Sequence, residues 1–201
     1  MSRKLSIPDL VLLSLLAERP MYGYQANLEL ERRNVRNWAA ISRPQIYYSL
    51  EKLAQQDLIR ATKAADAALG PERNVYSTTP KGRAALAEAL ERADWTGERN
   101  RPPFLIWLAL SWQAKPGVFL EQVRRRTAFV EKELAHEQST LRAVLKEVGH
   151  PYHEAVWMLT LTIGQFRTEL RWLRKLAREA NRWAPAHHPD HTVTITKTAA
   201  S

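Results

Sequence analysis

The sequence predicts a mainly α protein in two parts, a compact N-terminal unit containing one β-hairpin and a C-terminal region of long helices. Three observations carry this. Residues Ile41 to Ile59 open with a helix-start signature and continue with a single apolar stripe. The period then changes to two short β-prone runs before turning helical again. Beyond Phe104 every segment reads as helix, and its apolar residues recur at alternating three- and four-residue spacing.

Taken in order, Ile7 to Ala17 is a first helix with Pro8 at its start and a dense apolar composition suited to burial. Arg19-Pro20 breaks it, and Met21-Tyr22-Gly23-Tyr24 opens a second helix to about Arg33, with Tyr24 and Leu28 spaced to face the first. A connector containing Trp38 leads to the third helix. There Ser42 is the N-cap, Pro44 lies in the first turn and Gln45 completes a capping box, in which cap and third residue satisfy each other's backbone N–H groups. Ile46, Leu50 and Leu53 form its inner stripe, and Gln45, Tyr48, Glu51 and Lys52 its outer face. Leu58 to Lys63 and Asn74 to Thr78 form a hairpin with a long loop, Ala64 to Arg73, that contains Gly70-Pro71. Thr79-Pro80 then supplies a cap and a first-turn proline for a helix from Lys81 to about Ala93. Three helices, two strands and a fourth helix in this order make a winged helix-turn-helix, whose third helix is built to enter a DNA major groove.

Asp94 to Pro103 is polar and turn-rich and reads as a linker. Phe104 to Trp112 is apolar on nearly every side and is expected to be buried. Pro116-Gly117 starts a long helix to about Val148, and Gly149-His150-Pro151 stops it. The last helix runs to about Trp183, with Val156, Leu159, Ile163, Phe166, Leu170, Leu173, Ala177 and Ala180 as a seam that seeks another helix. A second stripe, Trp157, Leu161, Gly164, Trp172, Leu176 and Trp183, leaves this helix apolar on two sides. Two helices in one chain do not easily cover two seams each, so an isologous homodimer is expected. The expected organisation is a DNA-binding unit over 1–93, a linker over 94–103, a helical dimerisation and effector region over 104–183 and a flexible tail over 184–201.

Composition bounds the function. The 201 residues contain no cysteine, which excludes disulfides, thiolate metal sites and a cysteine nucleophile. The apolar run Leu10 to Leu16 is too short to span a bilayer and no small-residue cleavage site follows it, so a cytoplasmic protein without a membrane partner is expected. The net charge of +9 favours an acidic partner such as nucleic acid. Residues 101–201 carry 15 Lys and Arg against 9 Asp and Glu, whereas residues 1–100 carry 15 against 12, so most of the excess lies away from the third helix. There is no phosphate-binding loop, no glycine-rich dinucleotide turn, no metal-spaced ligand set and no nucleophile–base pair, so neither an enzyme nor a cofactor is expected.

The N-terminal half resembles the PadR family of transcriptional regulators. Tyr22-Gly23-Tyr24, Gln45-Ile46-Tyr47 with Leu50 and Leu53, Leu58-Ile59, Tyr76 and Thr79-Pro80-Lys81-Gly82-Arg83 carry the likeness. The second half is similar to the helical C-terminal domain of longer members, through Phe104-Leu105-Ile106-Trp107-Leu108 and the two long helices. The resemblance implies a homodimer on a pseudo-palindromic double-stranded operator, usually a repressor, often released by a small aromatic or drug-like effector. Asp57 departs from the family's usual glycine before the strand, Tyr48 from a usual basic residue or proline, and the loop tip after Lys63 is alanine-rich and nearly uncharged.

Arg43, Gln45, Tyr48 and Lys52 are the candidates for the major groove, since Arg pairs with guanine and Gln with adenine. Gln45 has an equal competing role in the capping box, and Lys52, late in the helix, suits a phosphate or plain solvent. Tyr24 and Tyr47 match family tyrosines near the DNA backbone, where a phenol donates to phosphate. Arg60, Lys63 and Arg73 flank the wing and suit phosphate. Trp107, Trp112 and Trp157 are the candidate effector residues, with core and interface packing as the plainer role of each. Arg167, Arg171, Arg174, Arg178 and Arg182 form a basic stripe expected to be a solvated face pairing with Glu169 or Glu179, and the tail histidines His187, His188 and His191 lack a framework for metal. The competing reading is a winged protein-interaction module without specific DNA binding.

Overall fold

The computed structural model describes residues 4–63, 74–97, 101–115 and 117–180, and its contacts divide the chain into two compact units, Met1–Arg99 and Asn100–Ser201. The first unit is built around α1 (Ile7–Glu18). Ser6 starts it, its N–H and hydroxyl both donating to Asp9 at 2.7 Å. Leu10, Leu12, Leu13, Leu15 and Leu16 are all buried, because neighbours cover this helix on nearly every side.

The second helix starts two residues later than the sequence predicts. Met21–Tyr22 is a short strand, β1, and α2 spans Gly23–Arg32. The side-chain oxygen of Gln25 accepts the Tyr22 N–H at 2.9 Å and caps the helix there, leaving Met21 and Tyr22 extended. Tyr24 and Leu28 do not face α1: both are about half exposed, and α2 instead buries Ala26, Asn27, Glu29 and Leu30. Two of those four are polar, which rotates the inner face away from the apolar residues that the spacing picks out. The connector with Trp38 is a short helix, α3 (Val35–Ala39), bounded by left-handed Asn34 and Ala40 and anchored by buried Val35.

The third sequence helix is α4 (Arg43–Gln55). Ile46, Leu50 and Leu53 are buried in a core shared with α1, α2 and the first strand of the hairpin. That hairpin is β2 (Ile59–Lys63) with β3 (Asn74–Thr78), and β1 adds to it as an antiparallel sheet of order β1-β3-β2. Ile59 pairs with Thr78, Ala61 with Tyr76, and Met21 meets Tyr76 from the other side. Asp57 takes φ +57° in the turn before β2, a left-handed conformation in which an Asp side chain costs less than most.

Helix α5 (Pro80–Leu90) closes the unit. The Thr79 hydroxyl donates to the Asp57 and Leu58 carbonyls, at 2.8 and 3.1 Å, and accepts the Gly82 N–H at 3.0 Å. A Cβ at Gly82 would lie 2.0 Å from the Leu58 carbonyl oxygen, so glycine alone allows this close approach. The expected linker is partly structured. Asp94–Gly97 makes a helical turn, α6, held to the N-terminal unit by Lys4 at 2.8 Å from Asp94 and by the Trp95 indole N–H on the Ala89 carbonyl at 2.7 Å.

The second unit contains α7 (Pro103–Leu110) with a 3-10 turn after it, α8 (Val118–Val148) and α9 (Glu154–Ala180). The sequence expectation of a buried α7 is not met: Leu105, Ile106 and Leu110 are each about half exposed or more, because the chain packs only against the side bearing Phe104 and Trp107. Left-handed Gly149 ends α8, its N–H on the Leu145 carbonyl at 2.9 Å, and the short connection folds α9 back as a helical hairpin. Val123, Val130, Leu170 and Leu173 form the core of this hairpin. Leu176 packs against them and so belongs to the inner seam, not to the second stripe. Glu169 is taken by Arg126 at 2.7 Å and Glu179 by Lys175 at 3.7 Å, while Arg174 crosses to Glu131 at 2.8 Å; the stripe's expected local pairs are replaced by these. The wing loop with Arg73, the tail and Trp183 lie outside the described residues.

Candidate nucleic-acid interface

The face of α4 turned away from the core carries Arg43, Pro44, Gln45, Tyr47, Tyr48 and Glu51, all exposed. The face is open because Ser42 caps the helix at the surface while Ile46, Leu50 and Leu53 pin the opposite side. Tyr48, in the first half of the helix, is 64% exposed. Gln45 is engaged by the cap: its Oε1 accepts the Ser42 N–H at 2.8 Å and the Ser42 hydroxyl at 2.9 Å. A bidentate adenine contact needs that same oxygen as acceptor, so the geometry places Gln45 in the structural role.

Lys52 is not on the open face. Its ammonium bonds the carboxylate of Asp9, which is completely buried on α1, and only 15% of the Lys52 side chain is exposed. The helical spacing puts Lys52 beside buried Ser49, on the flank of the inner stripe. Burial pushes the Asp9 carboxyl up, but Lys52, both Ser6 donors and Ser49 outweigh it and hold the pKa below its ordinary value. Lys52 therefore links α4 to α1 and does not reach toward a phosphate.

Arg43 is exposed but not idle. Its Nε and one terminal nitrogen donate to Glu31 Oε1 of α2, at 3.3 and 2.9 Å. Arg36 of α3 donates to the same oxygen at 3.1 Å and Asn27 at 3.3 Å. The hydrogen bond from Arg43 is the chief cause of a lowered Glu31 pKa. Sequence reasoning missed Glu31 and Arg36, because polar contacts across twelve and five residues, between separate helices, leave no periodic trace. Glu29 of the same helix is nearly buried; the Arg32 hydrogen bond, opposed by burial and aided by Arg33, lowers its pKa to about 2.

The tyrosines gather at the start of α2. The Tyr24 ring, half exposed, stacks on Tyr22 at 5.7 Å. A side chain on Gly23 would meet Leu50 Cδ1 at 3.3 Å and Tyr47 Cε1 at 3.6 Å, so the Tyr47 ring packs on the α2 N-terminus while remaining half exposed. Arg60 is exposed on β2, opposite Ser77. Lys63 is placed on the strand, opposite Asn74, but its side chain lies outside the described residues, as does Arg73.

The three tryptophan candidates differ in setting. Trp107 is partly buried and stacks with Phe104 at 5.4 Å and Phe119 at 5.6 Å, which commits it to packing. Trp112 and Trp157 are 44% and 59% exposed. A cleft of about 340 Å³ lies elsewhere, in the first unit, lined by Arg19, Pro20, Met21, Gln25, Leu28, Glu29 and Arg32. Among the described residues no group of His, Asp or Glu is placed to hold a metal, and no helix is long and apolar enough to cross a membrane.

Comparison with known proteins follows the same lines. Residues 12–88 match the sequence profile of the transcriptional regulator PadR-like family. No curated protein matches the chain. Among solved structures it is similar to Bacillus subtilis PadR in complex with operator DNA, at 16% identity and a TM-score of 0.73, covering 88% of this chain and 99% of that one. It is similar to the same Bacillus subtilis protein in complex with p-coumaric acid, at 15% identity and 0.72 over 87% and 99% of the two chains. It is also similar to the Vibrio cholerae virulence activator AphA, at 22% identity and 0.68 over 88% and 99%. The chain thus carries a PadR-like transcriptional regulator domain over residues 12–88, in a mainly helical winged-helix fold with a long helical C-terminal region.

Proposed function

We propose that this chain is a sequence-specific DNA-binding transcriptional regulator, a homodimer that represses nearby genes and is released by a small planar aromatic effector. Residues 1–93 are the DNA-binding part, 104–183 the dimerisation and effector part, joined through 94–103. The observation that carries this reading is the capped, core-anchored α4, which presents Arg43, Tyr47 and Tyr48 on one open face. Tyr24 and Arg60 supply phosphate contacts beside it, together with the wing residues Lys63 and Arg73. The likeness to a regulator solved with operator DNA supports the DNA partner, and the likeness to its p-coumaric acid complex supports the effector class. Of the three candidates Trp107, Trp112 and Trp157, the last two keep exposed surface for such a ligand.

The test is footprinting on the DNA upstream of the chain's own gene, followed by titration at two salt concentrations. Specific binding gives a protected pseudo-palindrome with half-sites about one turn, ~34 Å, apart, and an affinity that falls steeply with salt. Adding p-coumaric acid is expected to release the DNA and quench tryptophan fluorescence saturably. Salt-sensitive binding without a protected site would favour the interaction module, a reading supported by the neutralisation of Arg43 by Glu31.

A further inference from the structure

We infer that Glu31 is a specificity-determining residue: without touching DNA, it orients Arg43 so that the free end of the guanidinium reads a guanine. The inference rests on the DNA-binding reading of α4. A guanidinium has five N–H donors in a rigid plane, and its Nε side and its terminal end point in different directions. Glu31 Oε1 accepts from Nε and one terminal nitrogen of Arg43, which uses the Nε side and leaves the end with its two parallel donors. That end matches O6 and N7 of guanine in the major groove. The pair is exposed, and an isolated exposed pair would hold little, but Glu31 is itself fixed. Arg36 and Asn27 donate to the same oxygen, so three side chains, from α2, α3 and α4, converge on one acceptor. Arg43 sits in the first turn of α4, the end that a recognition helix directs at base edges. With Lys52 withdrawn to Asp9, Arg43 is the cation on the open face of α4 among the described residues. Discrimination at one base pair then depends on how rigidly this side chain is held.

The experiment separates the carboxylate's charge from its geometry. Duplexes selected by the wild-type chain from a randomised library are used, with single-base replacements of each guanine, and binding is measured for wild type, Glu31→Gln, Glu31→Ala and Arg43→Ala. Gln keeps an oxygen to accept from Arg43 but removes the charge; Ala removes both. Wild type is expected to discriminate one guanine on the order of tenfold to a hundredfold. Glu31→Gln keeps most of that ratio, and Glu31→Ala reduces it to about threefold or less, as Arg43→Ala does. Both Glu31 variants bind non-specific DNA more tightly, since each removes a negative charge near the phosphates. In the Arg43→Ala background, Glu31→Ala changes the ratio no further. The inference is overturned if Glu31→Ala keeps the wild-type ratio, or if it raises specific affinity more than non-specific affinity, which would make Glu31 a mask. If the wild-type chain selects no sequence at all, the DNA-binding reading itself fails and takes the inference with it.

Discussion

Lys52 of α4 is bonded to Asp9, a fully buried carboxylate on the central helix of the N-terminal unit. The pair fixes α4 against α1 through a charge that water does not reach. Lys52→Ala leaves the Asp9 charge buried without its partner and is expected to cost about 3 kcal/mol. The readout is the midpoint of urea unfolding at constant m. A double variant, Asp9→Leu with Lys52→Met, recovers most of the loss because no charge remains to desolvate. A phosphate-contacting lysine would behave differently, lowering the salt slope of DNA binding by about one without a change in stability.

Gly82 gives a second test of how the unit closes. The carbonyl of Leu58 occupies the space where a side chain would be, and the Thr79 hydroxyl bonds both that carbonyl and the Gly82 N–H. Gly82→Ala must push α5 away from β2, and is expected to cost about 3 kcal/mol or more. Hydrogen exchange is the suitable measurement, with protection falling in α1, β3 and α5 while α8 and α9 keep theirs. Unchanged protection throughout would mean that α5 does not close on Leu58.

Acid sensitivity is expected from Glu29. Its pKa is lowered from 4.5 to about 2 by Arg32 and Arg33, against the opposing effect of burial. A lowered folded-state pKa stabilises the protein fully above the unfolded value and loses that stabilisation as pH falls through the folded one. The loss therefore runs from about pH 4.5 downward to about 2. Glu29→Gln should lower stability at neutral pH by about 1–3 kcal/mol and flatten the acid limb over that window. Thermal melts of both chains between pH 2 and 7 give the comparison. Parallel acid limbs would assign the sensitivity to other carboxylates.

The sequence made some of this legible and hid the rest for physical reasons. The cap and stripe of α4 are local, since Ser42, Gln45 and Ile46 lie within one turn, and the helix start emerged at the right residue. Thr79-Pro80 and the glycine at 149 are likewise local signals. The inner face of α2 was misread because Asn27 and Glu29 are buried with polar and charged partners one turn away, Glu31, Arg32 and the capping Arg33, a pattern that hydrophobic periodicity does not register. Lys52 was misread for a different reason, its partner Asp9 being 43 residues away. Strand β1 is two residues long and exists through its pairing with β3. In α7 the apolar composition was read correctly, but composition does not say whether the cover comes from the same chain.

Arg43→Ala is expected to weaken binding to selected DNA by about 1–3 kcal/mol per bound subunit while leaving the oligomeric state unchanged. Arg43 is 61% exposed, and its partner Glu31 keeps Arg36 and Asn27, so the substitution removes a contact without opening the core. Binding and sedimentation should be measured on the same preparation. Equal affinity of the variant would move base reading to Tyr48 or to the wing.

The uncovered side of α9 gives the last prediction. Trp157, Leu161 and Trp172 are 59%, 64% and 44% exposed, and around Gly164 between them nothing lies within 4 Å of a built Cβ. Large apolar side chains in one line along a helix mark a surface that another protein covers. A second copy of the same chain, presenting the same line through a twofold axis, satisfies both copies at once. Leu161→Glu places a charge in the middle of that line and is expected to shift the sedimenting species from twice the 23.1 kDa chain mass to once it. The inner seam is untouched, with Leu159, Ile163 and Leu170 buried on the other side of the helix, so the helical circular dichroism should persist at low concentration. DNA affinity should then collapse toward that of one half-site, because two recognition helices no longer act together. A wild-type chain that sediments at the single mass at micromolar concentration would remove the homodimer from the proposal.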